Sequence, residues 1–127
     1  MKAAFFDTNI LIDYLKGNPK ATSLLDRCLK EGLVLTCSQI TKVELLSGVR
    51  PGEEEILQDF LDVFDSIGLD EIITEGAGRY MSLYRKSHGI NIADAIIAAS
   101  VLARGAVFYT LNDRHFPMND IKVIRPY

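Results

Sequence analysis

Ala4-Phe5-Phe6-Asp7-Thr8-Asn9-Ile10-Leu11-Ile12 is the stretch whose reading decides the fold. Residues 2–6 form a short apolar run with aromatic weight, which suits a strand covered on both faces. Asp7, Thr8 and Asn9 then arrive together, three short polar side chains that favour turns and helix N-caps. Ile10, Leu11, Tyr14 and Leu15 follow at helical spacing, so the local plan is strand, sharp polar turn, helix. In open α/β sheets, ligands bind in the crevice at the carboxyl ends of the strands, and Asp7 falls at such an end. The structural alternative is that Asp7 only caps the helix that follows.

The same alternation continues outward. Leu24, Leu25, Cys28 and Leu29 set up a second amphipathic segment that Gly32 stops, and residues 33–37 read as a second buried strand. Residues 38–49 read as a helix with Glu44 one turn inside it. Thr41 and Glu44 have capping-box spacing, and Ser38 is a second candidate cap. After Pro51-Gly52, residues 53–67 read as one amphipathic helix whose first-turn acids, Glu53, Glu54 and Glu55, complement the helix dipole. A further helix is expected from about residue 74 to residue 88, with Gly76 and Gly78 weakening its first turns. Residues 92–103 are small or apolar nearly all round, which marks a buried helix. Asp94 in its first turn is expensive there unless it caps, pairs or binds a cation, and Asn91 has capping spacing to it. Residues 107–110 read as a third buried strand ending in Leu111-Asn112-Asp113, and residues 121–124 as a last short strand. Strands alternating with helices predict an α/β fold around a parallel sheet.

Composition sets the bounds. A chain of 127 residues is read as one domain spanning residues 1–127, with 48% hydrophobic and 24% charged residues. Its 14 basic and 17 acidic residues provide no global positive field, so any nucleic acid must be held by a local basic rim or by cations. Arg79, Arg85, Lys86 and Arg114 are candidates for that rim, and each also suits a solvated helix face or loop tip. Cys28 and Cys37 lack ligand spacing and are expected reduced and packed. His88 and His115 read as surface or loop histidines. The N-terminal apolar run is interrupted by Asp7, and residues 92–103 are too short to span a bilayer, so the expected location is cytoplasmic.

Asp7, Glu44, Asp94 and the Asn112-Asp113 pair all fall just past strand ends or in the first turns of the helices that follow. With right-handed crossovers, those points share one edge of one sheet. Carboxylates gathered there repel one another unless a hard cation supplies the opposite charge, and an all-oxygen set points to Mg2+ or Mn2+. Such ions orient a phosphodiester and activate water.

These residues resemble the PIN-domain ribonucleases, particularly the VapC-type toxins of toxin–antitoxin modules. Asp7-Thr8-Asn9-Ile10-Leu11-Ile12 is similar to their opening motif and Thr41-Lys42-Val43-Glu44-Leu45 to their second. Asn91-Ile92-Ala93-Asp94-Ala95-Ile96-Ile97-Ala98-Ala99 is similar to the third, and Thr110-Leu111-Asn112 with His115-Phe116 to the fourth. The match runs over residues 5–126 with order and spacing intact. It implies a three-layer α/β/α fold, an Mg2+- or Mn2+-dependent endoribonuclease acting on an RNA substrate, a homodimer and a cognate antitoxin. By position it implies Asp7, Glu44 and Asp94 as metal-ligating acids, with Thr8, Asn9, Thr41 and Thr110 as polar neighbours. At the fourth position many members carry an acid two residues after the threonine. Here Asn112 stands at that place and Asp113 follows, so the fourth catalytic position is open between them.

Two rivals are weighed on the same residues. A haloacid dehalogenase-type phosphatase needs a second aspartate where Asn9 stands. A non-catalytic binding module of the same fold has no need to keep acids at three positions.

Overall fold

The computed structural model describes residues 2–127. Five parallel strands form one sheet in the order β3-β2-β1-β4-β5. They are β1 (Ala3–Phe6), β2 (Val34–Ser38), β3 (Asp65–Ile67), β4 (Val107–Tyr109) and β5 (Lys122–Ile124). The helices are α1 (Thr8–Leu15), α2 (Pro19–Lys30), α3 (Gln39–Ser47), α4 (Glu54–Asp62), α5 (Glu71–His88) and α6 (Ile92–Arg104). A single 3-10 turn, Asp113–His115, follows β4.

The strand pattern of β1 explains the layering. Successive side chains of a strand point to opposite faces. Ala4 and Phe6 join Ile10, Leu11, Leu24, Leu25, Cys28, Leu45, Leu57 and Leu61 in a core under α1 to α4. Phe5 joins Ile73, Ala77, Tyr80, Ile97 and Val101 in a second core under α5 and α6. The expected three-layer α/β/α architecture follows directly from that alternation. Both cysteines are free and buried, as their spacing predicts.

Sheet order also fixes where a site can form. From β1 the chain moves outward through β2 and β3, then returns to the other side of β1 for β4 and β5. The order therefore reverses between β1 and β4, and a crevice opens there at the carboxyl ends. Cross-strand aromatic pairs hold that join in register. Phe5 lies opposite Phe108, with centroids 6.0 Å apart edge to face, and Phe6 lies opposite Tyr109, stacked at 5.5 Å.

Two boundaries differ from the sequence reading. The expected helix over residues 53–67 stops at Asp62, and the chain continues as β3, paired with β2 through Thr36 and Asp65, Cys37 and Ser66, Ser38 and Ile67. Leu57, Leu61, Phe64 and Ile67 recur at spacings of three and four, so the apolar pattern of a helix runs straight through an edge strand. Tertiary pairing overrides it, and Arg104 bonds Asp65 at 3.0 Å to fasten that edge to α6. The helix expected from residue 74 begins at Glu71, because Asp70 caps it by accepting from Ile73 N–H at 2.8 Å.

Gly76 is explained by packing rather than by helix preference. A Cβ there would stand 3.2 Å from the Ala99 Cβ, so the glycine lets α5 lie close against α6. Gly78 faces open space. Gly78→Ala should therefore raise stability by about 0.5–1 kcal/mol, whereas Gly76→Leu should lower it by about 1–3 kcal/mol through overpacking. Thermal melts of the two variants check this; a destabilised Gly78→Ala or an unaffected Gly76→Leu would contradict the packing.

Candidate active site

Asp7 follows β1 immediately. Its backbone N–H donates to the Tyr109 carbonyl at 3.0 Å, extending the β1/β4 ladder by one bond. It is also the N-cap of α1, with extended backbone and Oδ1 accepting from Thr8 N–H at 2.8 Å. Its other oxygen, Oδ2, accepts from the Thr110 hydroxyl at 2.7 Å, across 103 positions of sequence. Capping uses one oxygen of the carboxylate, and the switch point between β1 and β4 uses the other.

Glu44 reaches the same place from α3. Ser38, not Thr41, is the N-cap of that helix, accepting from Ile40 N–H at 3.0 Å. Thr41 and Glu44 are thereby released from the capping box their spacing suggested. The Thr8 hydroxyl lies 2.8 Å from Glu44 Oε1 and 3.0 Å from Thr41 Oγ1. Thr8 and Asp7 are neighbours in the chain, so this network joins α3 to the end of β1.

Asp94 arrives on α6. A full capping box with Asn91 holds it: Asp94 N–H donates to Asn91 Oδ1 at 2.8 Å, and Asn91 N–H to Asp94 Oδ2 at 3.4 Å. The second bond is long, and Oδ2 also lies 3.6 Å from His115 Nδ1.

The fourth element is the turn after β4. Thr110 is fully buried; while donating to Asp7 it accepts from Asn112 N–H at 2.9 Å. Asn9 accepts from Leu111 N–H at 3.3 Å and so ties α1 to this loop. Asn112 Nδ2 lies 2.9 Å from His115 Nδ1, on the side of Asp94. Asp113 goes elsewhere: its carboxylate lies 3.5 Å from Arg125 and is about half exposed. Of the two candidates for the fourth position, the geometry places Asn112 with the other residues and turns Asp113 toward Arg125.

The electrostatics follow from this placement. Burial pushes the Asp7 carboxyl above the usual aspartate range; the bonds from Thr110 and Thr8 oppose that rise, and the charges of Asp94 and Glu44 add to it. Burial likewise raises Asp94, opposed by the Asn91 backbone bond and by His115. The acids are thus close enough to repel. They are not closed into a cage: among the described residues, no three His, Cys, Asp or Glu side chains are grouped at metal-holding spacing. An oxygen-only set of this openness fits a hydrated hard cation, since Mg2+ keeps several waters and takes one or two carboxylates.

A model of the PIN domain matches residues 4–121. This chain belongs to the PIN domain family. It is 38% identical over 113 residues to ribonuclease VapC19 of Mycobacterium tuberculosis, covering 88% of this chain and 90% of that one. It is 34% identical over 113 residues to ribonuclease VapC10 of the same organism, covering 88% and 84%. Among solved structures it is similar to a toxin–antitoxin complex from Klebsiella pneumoniae, with a TM-score of 0.80, 28% identity and 98% of each chain covered. The PIN fold expected from the motifs is therefore the fold present.

Within this PIN domain, the residue whose place sequence reasoning misses is His115, which reads as a surface or loop histidine. It stands three positions after Asn112, a spacing that one 3-10 turn brings to the same side. That spacing is visible in the chain, but a 3-10 turn of three residues leaves no periodic pattern by which to foresee it.

Asp7 carries a testable linkage. A carboxyl whose folded pKa is raised favours folding when protonated. Its ionisation lowers stability above the unfolded pKa, and stability returns as pH falls through the folded pKa. In chelator-treated protein, Asp7→Asn should therefore melt higher than wild type at pH 7, with the gap narrowing as pH falls toward about 4, the ordinary aspartate range. Asparagine can still accept from Thr8 N–H, so the cap survives. A variant that melts lower at pH 7, or a gap that widens on acidification, would show that Asp7 is held by favourable contacts and not under charge repulsion.

Proposed function

We propose that this chain is an endoribonuclease that hydrolyses RNA phosphodiester bonds with Mg2+ or Mn2+, acting in the cytoplasm as the toxin of a type II toxin–antitoxin pair. The observation that carries the reading is the meeting of Asp7, Glu44 and Asp94 at the β1/β4 switch point, where burial and mutual charge push Asp7 upward. The names of the relatives, ribonucleases VapC19 and VapC10, support the activity. The similarity to a toxin–antitoxin complex from Klebsiella pneumoniae supports the partner.

Asp7 and Asp94, with Glu44, would hold the cation through their oxygens. When bound, it would polarise the phosphodiester and lower the pKa of a water. Thr110 orients Asp7 through a 2.7 Å bond, and Thr8 orients Glu44 through one of 2.8 Å. Asn112 supplies an uncharged oxygen donor at the fourth position. Arg85, Lys86 and Arg114 are exposed. Arg85 and Lys86 lie on the last turn of α5, just ahead of Asn91, and Arg114 is in the 3-10 turn beside His115, so all three suit contacts to RNA phosphates. Arg79 is less available, being 3.6 Å from Asp120 and set against the Tyr80 ring.

A groove of about 390 Å³ between α1, α3 and α4 is lined by Ile12, Leu15, Leu45, Val49, Ile56 and others, and Glu44 forms part of its wall. That continuity suits an antitoxin segment lying in the groove and placing a cation against the acids. A guanidinium binds carboxylates in a bidentate manner and would compete with the metal. The assembly proposed is a homodimer, with a higher complex on antitoxin binding.

Purified chain, freed of any partner, should cleave single-stranded or loop RNA in Mg2+ or Mn2+, and EDTA should stop it. Asp94→Asn should lower cleavage by more than about 100-fold while leaving the fold intact. Full cleavage in EDTA, or an Asp94→Asn variant as active as wild type, would overturn the metal-dependent reading. No cleavage of any RNA by folded protein in either metal would favour a binding module.

A further inference from the structure

Asn112 is the neutral member of the site, and an amide has two unlike ends. Beside carboxylates, electrostatics turns its NH2 toward the acids, because NH2 donates and carboxylate accepts. An asparagine so turned would satisfy Asp94 and present no oxygen. The structure shows a different arrangement. Asn112 Nδ2 lies 2.9 Å from His115 Nδ1, while Nδ1 itself lies 3.6 Å from Asp94 Oδ2. The NH2 donates to the ring nitrogen, so the ring proton resides on Nε2, and Oδ1 is left as the free acceptor of the amide. The imidazole stands where the NH2 would otherwise meet Asp94.

Both partners are held on firm backbone. Asn112 N–H donates to Thr110 Oγ1, the hydroxyl that donates onward to Asp7. His115 N–H donates to the Asn112 carbonyl at 3.0 Å, closing the turn. The next residue, Phe116, is buried and packs edge to face on Phe108 at 4.8 Å, which anchors the turn to the core beside β4.

We infer that His115 is a positioning residue for the proposed cleavage: its ring occupies the Asn112 NH2 and so presents Asn112 Oδ1 to whatever is bound among the acids. This rests on the ribonuclease reading for its consequence, but not for its geometry. A side-chain oxygen of this kind holds a cation's water or a substrate hydroxyl by accepting its proton. A carboxylate at position 112 would need no such device, since both of its ends are oxygen.

The test combines selective 15N-asparagine NMR with cleavage kinetics on the full chain. His115 is about half exposed, so His115→Ala should fold, which the NMR spectrum itself verifies. The Asn112 NH2 resonances should move to free-amide positions in His115→Ala and return in His115→Asn, whose Oδ1 falls where Nδ1 stood. Cleavage should fall by about 10- to 100-fold in His115→Ala and recover in His115→Asn. In an Asn112→Asp background, adding His115→Ala should change the rate by less than about threefold, because the two residues act as one unit. Unmoved Asn112 resonances in His115→Ala, or the same loss of rate in both backgrounds, would overturn the inference. If wild type cleaves no RNA, the functional reading fails and the NMR arm alone decides the positioning claim.

Discussion

The register between β1 and β4 is the constraint on which the site depends. Phe5 against Phe108 on one face, and Phe6 against Tyr109 on the other, allow one alignment of two parallel strands. Aromatic pairs of this kind contribute about 0.5–1.5 kcal/mol each beyond their buried area, and a slip of one residue would send each ring to the wrong core. That alignment sets Asp7 beside Thr110. From their bond the rest follows, since Thr110 orders Asn112, Asn112 meets His115, and His115 faces Asp94. Charge is thus concentrated by a hydrophobic alignment that is indifferent to it.

Capping and chemistry are not competing explanations for these acids. Asp7 caps α1 with one oxygen and accepts from Thr110 with the other. Asp94 closes a capping box, and its Oδ2 also faces His115. The first turn of a helix offers a positive dipole end and free N–H groups, which makes a buried carboxylate tolerable before any cation arrives. Glu44 differs. Ser38 takes the cap of α3, and Glu44 is held through Thr8, a residue of another helix. Its placement is tertiary from the start.

Much of this was legible in the chain. The alternation of Phe5 and Phe6 around a strand ending in Asp7, the buried run of α6 interrupted by Asp94, and the break after Thr110 each follow from period and polarity. What was not legible came from contacts distant in sequence. β3 is three residues, Asp65-Ser66-Ile67, held by β2 and Arg104, and its apolar spacing continues that of the preceding helix. The early start of α5 depends on a single aspartate cap, and the tolerance of Gly76 depends on Ala99. Choosing between Asn112 and Asp113 required knowing that Arg125, beyond β5, draws Asp113 away. Ligand chemistry could be read from residue type, whereas the orientation of an amide could not.

The central claim is that Asp7, Glu44 and Asp94 are placed together to receive a hard cation. The most direct measurement is the melting temperature of wild type and Asp7→Asn across a Mn2+ titration, with chelated protein as the zero. Binding to the native state alone stabilises by about 2.7 kcal/mol at a hundredfold excess over Kd, a rise of several degrees for a chain of this size. Wild type should show that rise and Asp7→Asn little of it. Equal shifts in the two proteins, or none in either, would contradict the account.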